Sequence, residues 1–370
     1  MPAYWHQSRP CRPARRWRLA AVLFPALLNV TAAASPNACE TLKGETLRWI
    51  VPNSPGGGYD TYSRLLQPFL AQELEATIVV ENRSAAGGLV AAAAIRDAAP
   101  DGKTIGIINA AGLLAARLDG STLHPATDFT VLARLLRNRI VLLTGRESGI
   151  DSLDQLLGVA GRRPIVIGVR DAGSASIVAV PVIAELLGMD YVLVTGYVGN
   201  TARILAVVRG EVDLIVQNLD STRRFIEDGT VRPLLQVTGV EAGGEAGARD
   251  PIVAGIPVLG GETGVAQQRA RLTGRSVEQA KKRADSLASL VDAGRLVVAP
   301  PALPDQLRRC LEVAVGTVLR SPGLQAAADR AKLRIEPADA ANARADIRAA
   351  AEALVDFAPL VRATMQRARQ

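Results

Sequence analysis

The chain has 370 residues, 48% of them hydrophobic and 21% charged, with a formal net charge of +7. Five arginines (Arg9, Arg12, Arg15, Arg16 and Arg18) fall in the first 34 residues, which carry no acid, so the remaining chain is near +2 (7 − 5). That balance, with no basic stripe interleaved with aromatics, excludes a nucleic-acid-binding reading.

Residues 1–34 have the order of a secretory signal peptide. The arginines precede an apolar run over 19–30, and Ala32, Ala33 and Ala34 supply a small-residue cleavage pattern. The run is shorter than the roughly 20 residues a membrane-spanning helix needs. About 336 residues then remain (370 − 34), a length that suits two domains. Cys11 leaves with the leader. Cys39 and Cys310 would reach an oxidising compartment, where they either form one disulfide or stay as two thiols. His124 is the one histidine after the leader, so neither a His/Cys metal site nor a Ser-His-Asp triad is expected. The chain is read as having no catalytic residues, no metal and no cofactor.

Residues 46–52 read as a buried strand, and 61–70 as a helix with Tyr62, Leu65, Leu66, Phe69 and Leu70 on one face. Between them lie Asn53, Ser54, Pro55, Gly56, Gly57, Gly58, Tyr59 and Asp60. Glycines let the backbone approach a ligand, and a helix start offers unpaired N–H groups to a carboxylate or phosphate. Asp60 or Thr61 is expected to cap the helix. A P-loop would need Lys followed by Ser or Thr after the last glycine, where Tyr59-Asp60 stands. The dinucleotide fingerprint lacks its third small residue. Strands at 77–83 and 104–108 and a helix over 89–98 follow, then a small-residue loop at Asn109, Ala110 and Ala111. This alternation argues for a parallel sheet with ligand loops beyond the carboxyl ends of its strands.

The middle of the chain repeats the device. A strand over 164–169 leads into Arg170, Gly173, Ser174, Ala175 and Ser176, then a helix over 177–187. A strand over 191–195 is followed by Tyr197 and Asn200, a helix over 201–209, a strand over 212–216, and Gln217. Residues 241–249 read as a loop. A charged helical stretch over 267–291, with Lys281, Lys282 and Arg283, is either a solvated face or a docking surface for a membrane partner. A strand at 296–298 and helices over 304–319 and 338–358 complete the chain.

Several motifs occur together in order. They are Pro55-Gly56-Gly57-Gly58-Tyr59-Asp60, Val79-Val80-Glu81-Asn82-Arg83 with Gly87-Gly88, and Ala99-Pro100-Asp101-Gly102. Gly168, Gly173-Ser174-Ala175-Ser176, Gly196-Tyr197-Val198-Gly199 and Arg209-Gly210-Glu211-Val212-Asp213 follow. Ala299-Pro300-Pro301-Ala302-Leu303-Pro304 and Lys332-Leu333-Arg334 come last. Through these the chain resembles the TctC/Bug family of periplasmic solute receptors of tripartite tricarboxylate transporters, over nearly its whole length after the leader. The resemblance implies an α/β fold of two lobes in the Venus-flytrap manner, each a mainly parallel sheet flanked by helices. Residues 40–145 would begin lobe 1, 146–250 would form lobe 2, and 251–370 would return to lobe 1. It implies a monomer that binds a small organic carboxylate between the lobes, largely through backbone N–H groups and ordered water. The receptor would deliver its ligand to integral membrane transporter subunits. A receptor feeding a membrane sensor, and an enzyme using the glycine loop for a nucleotide or phosphate, are the alternatives. The chain departs from the family's usual residues at Asn53, Ser54, Tyr59 and Gln217, so the resemblance does not name the ligand.

Overall fold

The computed structural model describes residues 38–170, 176–197, 199–237 and 251–367. The expected leader at 1–34, the loop residues Gly173, Ser174 and Ala175, and the loop at 241–249 lie outside them. The strands, in chain order, are β1 (Thr46–Val51), β2 (Thr77–Asn82), β3 (Thr104–Asn109) and β4 (Thr130–Leu136); β5 (Ile140–Gly145), β6 (Ile165–Gly168), β7 (Tyr191–Val194), β8 (Leu214–Asn218) and β9 (Val231–Val237); and β10 (Arg295–Ala299) and β11 (Ala338–Asp339). The helices are α1 (Gly58–Glu73), α2 (Leu89–Arg96), α3 (Ala110–Arg117), α4 (Leu153–Ala160), α5 (Ser176–Leu187), α6 (Gly199–Val208), α7 (Arg223–Glu227), α8 (Val265–Leu272), α9 (Val277–Asp292), α10 (Asp305–Arg320), α11 (Pro322–Arg330) and α12 (Ala340–Arg367).

Two sheets result. The first has the order β11-β4-β10-β3-β1-β2 and the second β7-β6-β8-β5-β9. The alternating strands and helices give the expected parallel pairs, β1 with β2 and β3, and β6 with β7 and β8. The strands that carry the chain between lobes pair antiparallel: β10 with β3 and β4, and β5 with β8 and β9. Each sheet is therefore mixed. The first core packs Leu47 and Trp49 of β1 with Tyr62, Leu66 and Leu70 of α1 and Leu311 and Val315 of α10. Cys310 in α10 is bonded to Cys39, in the turn at Ala38–Leu42, with their Cα atoms 5.5 Å apart.

The lobe boundaries differ from those expected. β5 pairs only with strands of the second sheet, so the first crossing is at residues 137–139 and not after 145. Helices α8 and α9 pack on α5, so the chain stays with the second lobe until Gly294 and does not return at 251. The crossings touch. Gly294 has φ +66°, and a Cβ on it would lie 2.1 Å from the Leu136 carbonyl oxygen. No other residue fits that approach. Helix α12 packs on β4 and α3 of the first lobe and on α5 and α9 of the second. The charges of α9 are paired: Lys281 with Asp285, Lys282 with Asp356 and Arg283 with Glu185. Such pairs suit a solvated helix face and a docking surface alike.

The crossings also gather charge. Arg137 lies 3.9 Å from Asp292, Arg139 lies 2.9 Å from Glu336, and Arg134 contacts Asp346. Burial pushes the Asp292 carboxyl up from 3.8 to about 6, against the pull of Arg137 and Arg134. Between those values the folded chain holds more protons than the unfolded chain, so stability falls as pH rises through that window, by no more than about 3 kcal/mol. Asp292→Asn is expected to remove this fall. The difference in melting temperature between variant and wild type should grow in the variant's favour from pH 4 to pH 6.5. A constant difference contradicts the assignment.

Candidate functional site

The glycine loop is stitched from below. Helix α1 starts at Gly58, three residues earlier than its apolar face alone suggests, with Gly57 at the cap position. Asp60 is therefore inside the first turn and does not cap it. Its carboxylate accepts from Gly56 N (2.8 Å), Arg64 Nε (3.0 Å) and Asn82 Nδ2 (2.9 Å). Burial alone would raise its pKa; the bonds from Arg64, Gly56 and Asn82 outweigh burial and hold it below the usual range. Asp60 shapes the loop and lines no cavity. Gly56 N–H is spent on Asp60, and Gly57 N–H donates to the Ser54 carbonyl at 3.0 Å. That leaves Gly58 as the glycine whose N–H the loop does not itself use.

A small cavity of about 60 Å³ lies between the carboxyl ends of the two sheets. Asn53, Tyr59 and Asn109 line it from the first lobe. Arg170, Ser176, Asn200, Arg203, Gln217, Asn218 and Ser221 line it from the second. A larger cavity of about 550 Å³ opens beside it, against Asn53, Ser54, Gly56, Gly57, Gly58, Asn200, Ser221, Arg223, Arg224 and Lys332. Asn53, Asn200 and Ser221 line both.

The second-lobe wall is a hydrogen-bonded set. Arg203, 5% exposed, donates from Nη2 to Asn200 Oδ1 (2.7 Å) and Gln217 Oε1 (3.3 Å), and from Nη1 to the Val216 carbonyl (3.3 Å). Gln217 Nε2 donates to the Asn200 carbonyl at 3.3 Å. Arg170 reaches across the seam and donates from Nη2 to the Gly87 carbonyl at 3.0 Å. The first-lobe wall is polar as well. The Tyr59 hydroxyl is buried toward Asn138 and Arg295, and Asn109 Oδ1 is buried without a hydrogen-bond partner. Burial raises the Tyr59 phenol, and Arg295 and Arg170 draw it partly back. Unmet donors and acceptors at a cavity wall mark where a ligand or water completes the bonding.

The lobes meet around the larger cavity. Lys332 lies 3.0 Å from Glu227, and Arg334 lies 3.4 Å from Asp220, whose side chain is 1% exposed. A Cβ on Gly58 would lie 2.4 Å from Ser221 Oγ of the other lobe.

Besides Asp60, three expected site residues stand elsewhere. Ala110 and Ala111 are fully buried in the first turn of α3, because alanine favours the helix over the loop read from sequence. Tyr197 packs beside Gly168 of β6 and lines neither cavity. Gly173, Ser174 and Ala175 lie outside the described residues. Sequence reasoning missed Arg203, Asn218, Ser221, Arg223, Arg224 and Arg295. Arg203 had a readable signal, since it lies three residues beyond Asn200 on one helical face. Arg295 is completely buried at the start of β10. It donates from Nη1 to the Gly58 carbonyl at 3.2 Å, with its guanidinium carbon 4.7 Å from the Tyr59 ring centre and 4.8 Å from that of Tyr62. Among the described residues no group of three or more His, Cys, Asp or Glu is placed to hold a metal, and no helix is long and apolar enough to cross a membrane.

The family model described as "Tripartite tricarboxylate transporter family receptor" matches residues 62–255. BugT of Bordetella pertussis is 28% identical over 216 residues, which cover 54% of this chain and 63% of that protein. A protein of the tcbD–tcbE intergenic region of Pseudomonas sp. strain P51 is 26% identical over 220 residues, 56% of this chain and 63% of that protein. The chain thus spans a little under two thirds of the length of these curated relatives. Among solved structures, R. palustris Rpa4515 with adipate superposes with a TM-score of 0.68 at 22% identity, covering 86% of this chain and 97% of that one. MatC of Rhodopseudomonas palustris with bound malate gives 0.64 at 22% identity, over 86% and 99%. The periplasmic binding protein BugD gives 0.66 at 18% identity, over 86% and 97%. At these identities the likeness is one of fold.

Proposed function

Since the chain belongs to the tripartite tricarboxylate transporter receptor family, we propose that it is an extracytoplasmic receptor that closes two lobes over a small carboxylate. It passes the ligand to integral membrane transporter subunits and does no catalysis. The observation that carries this reading is the small cavity at the seam. It is walled by Asn53, Tyr59 and Asn109 on one side and Arg170, Asn200, Arg203 and Gln217 on the other. Its 60 Å³ holds about two waters' share of liquid volume, enough for one carboxylate group. The rest of the ligand extends into the larger cavity past Asn53 and Ser221. Malate and adipate, bound by the two R. palustris neighbours, are the natural first probes. The arginine-rich segment ahead of residue 35 exports the protein to the periplasm, where it acts as a monomer.

A ligand that touches both lobes favours the closed state by its differential affinity. A thermal-shift screen of the unfolded and refolded protein tests the reading, with mono-, di- and tricarboxylates, aromatic acids, acidic amino acids and nucleotides as probes. A ligand at a hundredfold excess over its dissociation constant adds about 2.7 kcal/mol, a visible shift. A shift with a carboxylate class is expected; a shift with nucleotides alone overturns the proposal.

Closure also depends on the contacts at the mouth. Arg334→Ala leaves the buried Asp220 carboxylate without the guanidinium 3.4 Å away across the seam. Breaking a buried pair from one side is costly. The variant is expected to bind its carboxylate about tenfold more weakly or worse, chiefly through faster release. Stopped-flow dissociation rates equal to those of the wild type would remove the contact from the account.

A further inference from the structure

Arg295 is a buried cation with more donors than bonds. It is 0% exposed. Of the five N–H donors of a guanidinium, the Gly58 carbonyl takes one, at 3.2 Å from Nη1. Nε and Nη2 are buried outside ordinary hydrogen-bond geometry, and the guanidinium's further polar contact is the neutral Tyr59 hydroxyl. The faces of Tyr59 and Tyr62 offset part of the cost of burying the charge. No carboxylate among the described residues pairs with it. Asp220, close enough to act on Tyr62, is held by Arg334 instead. An unpaired charge in such a place is unfavourable unless something completes it.

Nη2 lies beside Gly58, at the seam. A Cβ on Gly58 would lie 3.5 Å from Arg295 Nη2 and 2.4 Å from Ser221 Oγ. The guanidinium and the opposite lobe therefore approach each other across Gly58, beside the wall that the two cavities share through Ser221. Tyr59 lines the smaller cavity and lies against the same guanidinium. From this convergence we propose that Arg295 is a specificity-determining residue of the cleft. Its buried charge behind the glycine loop makes a full negative charge on the ligand the condition for binding. The inference rests on the carboxylate-receptor reading and adds the group that enforces it.

The test compares acids with their neutral amides. Adipate, malate and citrate, with adipamide, malamide and citramide, are titrated calorimetrically into refolded wild type and Arg295→Met. Hydrogen bonds to a charged group correspond to about 10- to 100-fold in affinity. Wild type is expected to prefer at least one acid to its amide by that factor or more. Arg295→Met should lose most of the preference through weaker acid binding, with amide binding changed by less than about threefold. The melting temperature of the unliganded variant should match or exceed that of wild type, since a methionine removes a buried charge. A merely structural arginine would lower that temperature and leave the preference intact. Should Arg295→Met fail to fold, Arg295→Gln, which can still donate to Gly58, carries the same expectation. A variant that keeps the preference, or a wild type that binds amide as tightly as acid, overturns the inference while the receptor reading stands. A wild type that binds neither these acids nor any carboxylate of the wider thermal-shift panel removes both.

Discussion

Gly58→Val is expected to fold and to bind carboxylates at least about tenfold more weakly than the wild type. Gly58 opens α1 in ordinary helical geometry, where a side chain costs the isolated lobe little. The cost arises between lobes. A Cβ there would stand 2.4 Å from Ser221 Oγ and 3.5 Å from Arg295 Nη2. The branched valine adds two methyl groups to that crowding, so the closed state is disfavoured and the open one is not. Apparent affinity falls with the population of the competent state. Calorimetry gives the affinity and thermal denaturation the control. Unchanged affinity would mean that Ser221 swings aside and that closure is not limited at this point.

Removing the disulfide is expected to lower stability by about 2–5 kcal/mol without changing ligand affinity. Cys39 and Cys310 are 271 residues apart in sequence, so the bridge closes most of the folded chain into one loop. It ties the turn ahead of β1 to α10, and Leu42 of that turn is buried against the first core. Neither cysteine lines the two cavities at the seam. Urea unfolding of Cys310→Ser, or of wild type with and without reductant, measures the loss. Superimposable curves contradict the prediction, and a large loss of ligand affinity would show that the bridge reaches the site.

Local pattern carried much of this fold and stopped where long-range pairing began. The strand ending at Val51, the glycine loop and the apolar face of α1 were legible because each is set by near neighbours. The start of α1 was not, since glycines give no propensity signal for the first turn they occupy here, and Asp60 moved from cap to loop brace as a result. The sheet to which β5 belongs was hidden because all six of its residues are buried. A strand that is apolar on both faces reads alike in either lobe. The stretch that forms α8 and α9 reads by its charges, and nothing local says that α5 of the second lobe packs on it. Around the seam, Asn53, Tyr59, Asn109, Arg170, Asn200 and Gln217 stand at or just beyond strand ends or in the first turn of helices, the places to which the rule for parallel sheets points. Arg295 escaped for the opposite reason. Ahead of Leu296-Val297-Val298 it reads as a charged strand end, and only its meeting with Tyr59 and Tyr62, more than 200 residues earlier, shows that it is buried.

The central claim is that the seam between the lobes holds the ligand's carboxylate. A crystal structure of the refolded protein with the acid that stabilises it most tests this directly. The account predicts a carboxylate group in the small cavity, contacted by Asn53, Tyr59 or Asn109 from one lobe and by Arg170, Asn200 or Gln217 from the other. An acid bound outside the seam, or held by one lobe alone with the small cavity filled by water, would contradict it.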